Sequence, residues 1–402
     1  MQYRKGKHGE KLSVLGYGCM RFTRKGASID LDKAEKEILR AYEGGVNYYD
    51  TAYIYPGSEA ALGEILSRNG IRDKVYIATK LPQYMISNRA AIDRLFNEEL
   101  SRLKTDHVDF YLMHHLSDIA QWDRLKDMGI LDWIQEKKSN GQVTNIGFSY
   151  HGNSDNFLKI LDDYDWDFCQ IQYNYIDENS QAGVIGLKAA ANKGIPVIIM
   201  EPLRGGKLVN MLPETAKRTI AANERGWSAA QWGLRWLYNQ SEVTVVLSGM
   251  NSIEMVDENV RTASDAEAGH FTEEDLALIE KVKREINAHE KIGCTGCRYC
   301  MPCPRGVDIP GIFRSWNTMY TESKFDGRRH YFQAVMLTQE PSDASRCIEC
   351  GKCEKHCPQG LPIRQKLKEA DKDIRPFFYK IAFNVGKRVM MRSAAKKKSK
   401  ES

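Results

Sequence analysis

The chain has 402 residues, 42% of them hydrophobic, which is enough for a real core and too long for one ordinary domain unless most of it is a barrel. Its formal net charge is +5, and Lys380, Lys387, Arg388, Arg392, Lys396, Lys397, Lys398 and Lys400 against Glu401 account for that whole excess, so nothing else points to a nucleic-acid partner. No apolar run approaches the roughly 18 residues that cross a bilayer, and the polar start MQYRKGKHGEKLS lacks a secretory apolar stretch, so a cytoplasmic protein is expected.

From residue 14 to about 260 short apolar runs alternate with amphipathic stretches. The predicted strands are Leu15–Met20, Val46–Tyr49, Val75–Thr79, Val108–Met113, Thr144–Phe148, Phe168–Tyr173, Pro196–Met200 and Val243–Leu247. They are apolar nearly throughout, as strands buried on both faces are. The helical patterns between them include DLDKAEKEILRAYEGG, SNRAAIDRLFNEELSRLK and DRLKDMGILDWIQEKKSNGQ, the first and last closing on Gly44–Gly45 and Asn140–Gly141. Eight strands alternating with helices predict an α/β fold, a closed parallel (β/α)8 TIM barrel over 1–285. An open doubly wound sheet would carry a GxGxxG turn after its first strand, where this chain has only Gly16 and Gly18.

After about residue 285 the character changes to cysteine–proline turns around the helix-like GIFRSWNTMYTESKF, then IRQKLKEADKDI. This predicts a smaller, mainly helical metal-bearing domain over 286–375 and a basic tail over 376–402. The tail segment FFYKIAFNVGKRVMMR mixes aromatics with cations, as a helix on an anionic membrane surface would. A helix docked on the chain's own barrel before a solvated lysine end is the favoured reading.

Eight of the ten cysteines fall between 294 and 357, and packed cysteines in a reducing compartment mean metal rather than disulfides. The runs are Cys294-Thr-Gly-Cys297-Arg-Tyr-Cys300-Met-Pro-Cys303-Pro304 and Cys347-Ile-Glu-Cys350-Gly-Lys-Cys353-Glu-Lys-His-Cys357-Pro358. Three thiolates at two-residue intervals wrap one face of an iron–sulfur cubane, and the fourth must come from elsewhere. Zinc, the alternative, usually takes separated CxxC pairs. The runs resemble the dicluster ferredoxin domain, where the trailing Cys-Pro cysteine serves the other cluster. The resemblance implies two [4Fe–4S] clusters, one on Cys294, Cys297, Cys300 and Cys357, the other on Cys347, Cys350, Cys353 and Cys303. The 303–347 gap is long and helical in pattern, which favours a helical module over a compact β-rich one.

Asp50, Lys80 and His114 stand at or just past the C-terminal ends of successive strands, with Tyr55 five residues beyond Asp50. Groups distant in sequence converge on that face of a barrel. Reducing a carbonyl by hydride leaves an alkoxide that must be protonated. Tyr55 can supply the proton, and a nearby Lys80 ammonium is expected to lower its pKa from about 10. Asp50 would orient Lys80, and His114 would hydrogen-bond the carbonyl oxygen. Tyr53 and His115 are read as structural neighbours, His115 pointing to the opposite side of its strand.

Over residues 12 to 260 these segments resemble the aldo-keto reductases: GVNYYDTAYIY, VYIATK and DFYLMHHL match the Asp–Tyr, Lys and His segments. The resemblance implies hydride transfer from NAD(P)H to an aldehyde or ketone, or the reverse from an alcohol. It places Ser149 of VTNIGFS and Gln170 of FCQIQYN on the nicotinamide carboxamide. Met200 stands where relatives often stack an aromatic, and Tyr150 where an Asn often follows the serine. Arg204 with Gly205–Gly206 is expected near the pyrophosphate, a plain loop turn being the alternative, and Ser248 and Asn259 near the adenosine. The last loop, SGMNSIEMVDEN, has Gly249 and Met255 where many NADPH-using relatives have Lys and Arg, beside Glu254, Asp257 and Glu258. Acidic groups repel a 2′-phosphate.

A nicotinamide gives two electrons as a hydride, whereas a cluster passes one. Three roles therefore stay open for the clusters: structural or sensing, exchange with an outside redox protein, or radical supply to a substrate. The competing function is an electron-transfer or regulatory iron–sulfur subunit whose barrel is a docking scaffold.

Overall fold

Glycines and caps in the sequence set where each element starts and stops. In the computed structural model, which describes residues 1–386 except 289, 338–341, 358, 377 and 384, Asp30 caps the helix Leu31–Glu43 through Lys33 N, and Gly45 turns the chain out of it at φ 89°. The third helical pattern is not continuous. It splits into Ile119–Asp127 and Ile130–Ser139 because Gly129 sits between them at φ 77°, a left-handed conformation that interrupts a helix.

The barrel strands are β1 Leu15–Gly18, β2 Tyr48–Asp50, β3 Tyr76–Leu81, β4 Val108–Leu116, β5 Val143–Tyr150, β6 Phe168–Gln172, β7 Val197–Met200 and β8 Val243–Ser248. They close in chain order into one parallel ring. The second starts two residues later than predicted, and the first ends at Gly18, where Cys19–Arg21 form a 3₁₀ turn.

Side chains alternate across each strand, so the lumen takes every second residue. Tyr48, Ala78, Phe110, Phe168, Ile198, Val245 and Leu247 fill it, and Leu12 of the N-terminal hairpin joins them from below. Gly147 is required by this packing: a Cβ there would lie within 2.7 Å of the Phe168 ring. The same alternation carries Asp50, Lys80, His114, Ser149 and Gln170 one layer higher, at the C-terminal mouth. The outward-facing strand residues pack against the helices in the main core, with Trp122, Trp133 and Trp166 fully buried.

A second core lies beyond the helix Glu273–Asn287. Phe313 and Trp316 of helix Ile309–Thr321, Tyr331 of Lys324–Tyr331, Val335 and Leu367 of Ile363–Ile374 build it, all 2% exposed or less. This mainly helical part meets the barrel through charge. Asp177, after β6, is fully buried between Arg204 (2.7 and 2.5 Å) and Arg314 (3.0 Å), and Arg204 also pairs with Glu322. Residues 378–383 are helical, and Phe383 packs on Tyr331 and Phe332 at 6.2 and 5.4 Å between rings. The segment thus docks on the C-terminal part, not on the barrel as expected, because that part offers the aromatic surface. The lysine-rich end from 387 onward lies outside the described residues. None of the described helices is long and apolar enough to cross a membrane.

Candidate active site and cysteine-lined cavities

Asp50 and Lys80 form a contact ion pair at the top of the lumen. Lys80 Nζ donates to both Asp50 oxygens at 2.7 and 2.8 Å and to the Thr51 carbonyl at 2.5 Å, using all three of its hydrogens. The pair is almost wholly buried, at 1% and 5% exposed side chain. Burial pushes the Asp50 carboxyl up, and Lys80 opposes that push. The Tyr55 ring sits 5.3 Å from Lys80 Nζ and 6.3 Å from the His114 ring, edge-on at 87°. The four side chains therefore meet around one space.

The electrostatics differ from the sequence expectation in one respect. Tyr55 is raised above its ordinary range, by burial first and then by the negative charges of Asp50 and Glu201. Lys80 does not lower it, because Asp50 already neutralises that ammonium at contact distance. The phenol is held protonated, the form a proton donor needs. His114 is driven well below its usual range by burial, then by Lys80. It is a neutral imidazole, and its buried Nδ1 has no partner among the described residues. Tyr53 faces away, donating to Glu98 at 2.9 Å under the Arg102 guanidinium. His115 does not follow strand alternation: the register shifts between Met113 and Leu116, and His115 takes φ 60°.

Ser149 and Gln170 are register partners on β5 and β6, 1% and 2% exposed. Ser149 Oγ accepts the His115 backbone N–H at 2.8 Å, leaving its own hydrogen to donate. Buried Gln170 Oε1 has no partner among the described residues. One donor and one acceptor side by side suit a carboxamide, so these residues fit a nicotinamide. Met200 closes β7 at the lumen rim. Arg204 is a different matter. Its charge is spent on Asp177 and Glu322, so its geometry does not support a pyrophosphate contact. The exposed cation over this loop is Arg21, whose side chain spans Gly205 (φ 65°) and Gly249 and has no carboxylate partner among the described residues. Sequence reasoning missed it, although a basic residue three positions past the first strand was the available signal. Ser248 accepts from Asn259 Nδ2 at 3.0 Å. Of the three nearby acids, Asp257 is paired with Arg40 at 2.6 Å and Glu258 accepts from Ser228 at 2.7 Å. Tyr150 is fully buried against Phe157 and points out of the site.

The cysteines of the C-terminal part surround two cavities. Cys303, Cys347, Cys350 and Cys353 line one of about 320 Å³. Cys294, Cys297 and Cys357 line a tighter one of about 20 Å³, and Cys300 lies on the wall shared by both. No three His, Cys, Asp or Glu side chains among the described residues are grouped for a single metal ion. Soft thiols spread around a cavity suit a cluster better than one tetrahedral ion. Burial pushes the Cys294 and Cys300 thiols up to about 11 and about 12, so a metal bound there would have to draw the thiolate out. The tighter cavity adjoins the barrel, where Asn179 Nδ2 donates to the Thr295 carbonyl at 3.0 Å and Arg298 pairs with Asp155 at 2.8 Å. Exposed Tyr299 and Ile348 rim the other.

Comparison with known proteins agrees with both halves. Residues 293–361 match the 4Fe-4S dicluster domain. L-galactose dehydrogenase of Arabidopsis thaliana is 25% identical over 301 residues, 70% of this chain and 93% of that protein. L-glyceraldehyde 3-phosphate reductase of Escherichia coli O157:H7 is 25% identical over 329 residues, 70% and 92% of the two chains. Among solved structures, aldo-keto reductase AKR11C1 from Bacillus halodurans superposes with a TM-score of 0.59 at 24% identity, covering 70% of this chain and 96% of its own. An aldo-keto reductase from Klebsiella pneumoniae in complex with NADPH gives 0.58 at 21% identity, covering 70% and 95%. With residues 14–284 matching the Aldo/keto reductase family, the chain belongs to that family and carries a 4Fe-4S dicluster domain behind its barrel.

Proposed function

We propose that the protein reduces an aldehyde or ketone with NAD(P)H in the barrel mouth and carries two [4Fe–4S] clusters in its C-terminal part. The observation that carries this reading is the approach of the Tyr55 ring to Lys80 Nζ at 5.3 Å and to the His114 ring at 6.3 Å. A bound NAD(P)H supplies a hydride to the carbonyl carbon. Neutral His114 donates a hydrogen bond to the carbonyl oxygen, stabilising the negative charge that develops there. Tyr55, held protonated, delivers the proton to that oxygen. Asp50 fixes Lys80 so that its charge is in place beside the resulting phenolate, which is the moment at which the ammonium matters. Ser149 and Gln170 orient the carboxamide and thereby the ring face. Arg21, lying over the glycine loop, is the cation offered to the phosphates. The NADPH in the Klebsiella pneumoniae structure and two of the three loop acids being already partnered support NADPH as an acceptable form.

Crossed ligation is the proposed cluster arrangement: Cys294, Cys297, Cys300 and Cys357 for the cluster beside the barrel, Cys347, Cys350, Cys353 and Cys303 for the outer one. The deciding experiment is Tyr55→Phe, which removes only the hydroxyl. NAD(P)H-dependent carbonyl reduction should fall by roughly 100- to 10,000-fold, the usual worth of a positioned acid. Undiminished turnover would refute the assignment.

A further inference from the structure

The barrel mouth is not built from the barrel alone. Helix Lys324–Tyr331 of the C-terminal part brings Arg329 and His330 to it, Arg329 Nη1 lying 3.8 Å from Glu201 Oε1 just past β7. From the barrel side, His115 near the end of β4 and His151 just past β5 lie 4.5 Å apart between rings. Gln181 donates to Gln172 at 2.8 Å beside them, and Ser315 holds His330 Nδ1 at 2.8 Å.

Two independent features mark this part of the mouth. His115, Gln181, Glu201 and Arg204 all have positive φ, at 60°, 55°, 53° and 48°. Left-handed backbone at four non-glycine residues on adjoining loops is strain of the kind that persists where a site requires it. Second, His330 Nε2 is buried without a hydrogen-bond partner among the described residues, whereas His151 and Gln181 hydrogen-bond each other. Buried polar atoms are ordinarily paired, and an unpaired one beside these strained residues points to a ligand that pairs it.

The chemistry there selects the ligand class. Burial drives His151 well below its usual range and His330 down to about 4, so both rings are neutral near pH 7. Ser315 gives its hydrogen to the Gly311 carbonyl and so accepts His330 Nδ1–H, which leaves Nε2 an acceptor for a hydroxyl hydrogen. An anionic ligand fits less well, because Arg329 stands between two carboxylates, Glu201 at 3.8 Å and Asp326 at 3.9 Å.

We propose that His330, delivered by the C-terminal part, binds a hydroxyl group of a polyhydroxylated carbonyl substrate whose carbonyl end lies at Tyr55 and His114. The dicluster domain is then part of the substrate pocket and sets specificity. The inference rests on the carbonyl-reduction reading.

Glyceraldehyde and propanal share a carbon skeleton and differ by two hydroxyls, which makes them the test pair. In the cluster-loaded protein, His330→Phe should raise KM for glyceraldehyde about tenfold, the worth of one buried hydrogen bond, with kcat and the propanal KM little changed. His330→Gln, which restores a donor and an acceptor, should recover most of the loss. Equal effects on both aldehydes, or none, overturn the proposal. Saturation-transfer NMR gives a reading without turnover: transfer to glycerol but not 1-propanol, lost in His330→Phe, supports the site, and equal transfer overturns it. If glycerol binds in this way but neither aldehyde is reduced, the hydroxyl site stands and the carbonyl-reduction reading falls.

Discussion

Asp177→Asn is the substitution that best tests how the two halves are held together. The carboxylate is fully buried and accepts from Arg204 Nε (2.7 Å), Arg204 Nη2 (2.5 Å), Arg314 Nε (3.0 Å), Asn174 (2.9 Å) and Gln172 (3.2 Å). An amide of the same size keeps one acceptor and turns the other end into a donor. Whichever way it flips, its NH2 then meets at least two donors, and two guanidinium groups lose their shared counter-charge. Arg204 keeps Glu322, and Arg314 keeps only Glu290 at 3.5 Å. Breaking one partner out of a buried pair costs about 3–5 kcal/mol. At 1.4 kcal/mol per tenfold, amides protected by contact between the halves should exchange about 100- to several thousand-fold faster. The places to look are loop 174–182 and helix Ile309–Thr321, with barrel strands as the internal control. Acid should mimic the change. Burial by itself would raise the Asp177 pKa, but Arg204 outweighs it and the net shift is downward. The stabilisation is therefore fully present above the unfolded value near about 3.9 and is lost as pH falls through the lower folded value. Unchanged exchange in both segments would refute the idea that this buried anion clamps the dicluster domain to the barrel.

The opposite pH behaviour is expected of Lys80→Met. Burial already pushes Asp50 up, and removing the opposing ammonium leaves the folded pKa well above the unfolded one, so the folded state binds the extra proton. The loss of stability relative to the parent, about 3–5 kcal/mol at pH 8, should shrink on acidification to pH 5.5 in urea melts, and an equal loss at both values would contradict the argument. Crossed cluster ligation predicts that Cys294→Ser combined with Cys357→Ser empties one cluster and leaves half the iron; ligation within each run predicts damage to both, read by iron analysis and the visible spectrum.

The fold was legible because the barrel repeats one physical pattern eight times: a short run apolar on both faces, a turn residue, an amphipathic helix. Strand alternation then carried Asp50, Lys80, His114, Ser149 and Gln170 to one mouth without any further information. What the sequence hid depends on contacts between distant residues. Arg204 reads as a loop cation until Asp177 and Glu322, 27 and 118 residues away, are seen to neutralise it. His115 reads as an outward strand residue until the shift between Met113 and Leu116 turns it. His330 could not be linked to the mouth at all, because a helix in a separate core delivers it. The shift on Tyr55 was misjudged for a related reason: the sequence shows an ammonium near a phenol, but not that a carboxylate sits at contact distance from the same ammonium.

On the proposed function, the arrangement of the two halves bears on how a two-electron site and two one-electron clusters would coexist. On the proposed ligation the cavity nearer the barrel rests on loop 174–182 through Asn179, and that loop also carries Asp177 and Gln181 to the mouth. The other cavity opens outward between Tyr299 and Ile348, with Cys350 exposed, and Cys300 stands in the wall between them. Electrons exchanged with an outside protein would thus enter at the outer cavity and reach, at their inner end, the substrate side of the mouth at Gln181 and His151. They would not arrive at Ser149 and Gln170, where the carboxamide fits.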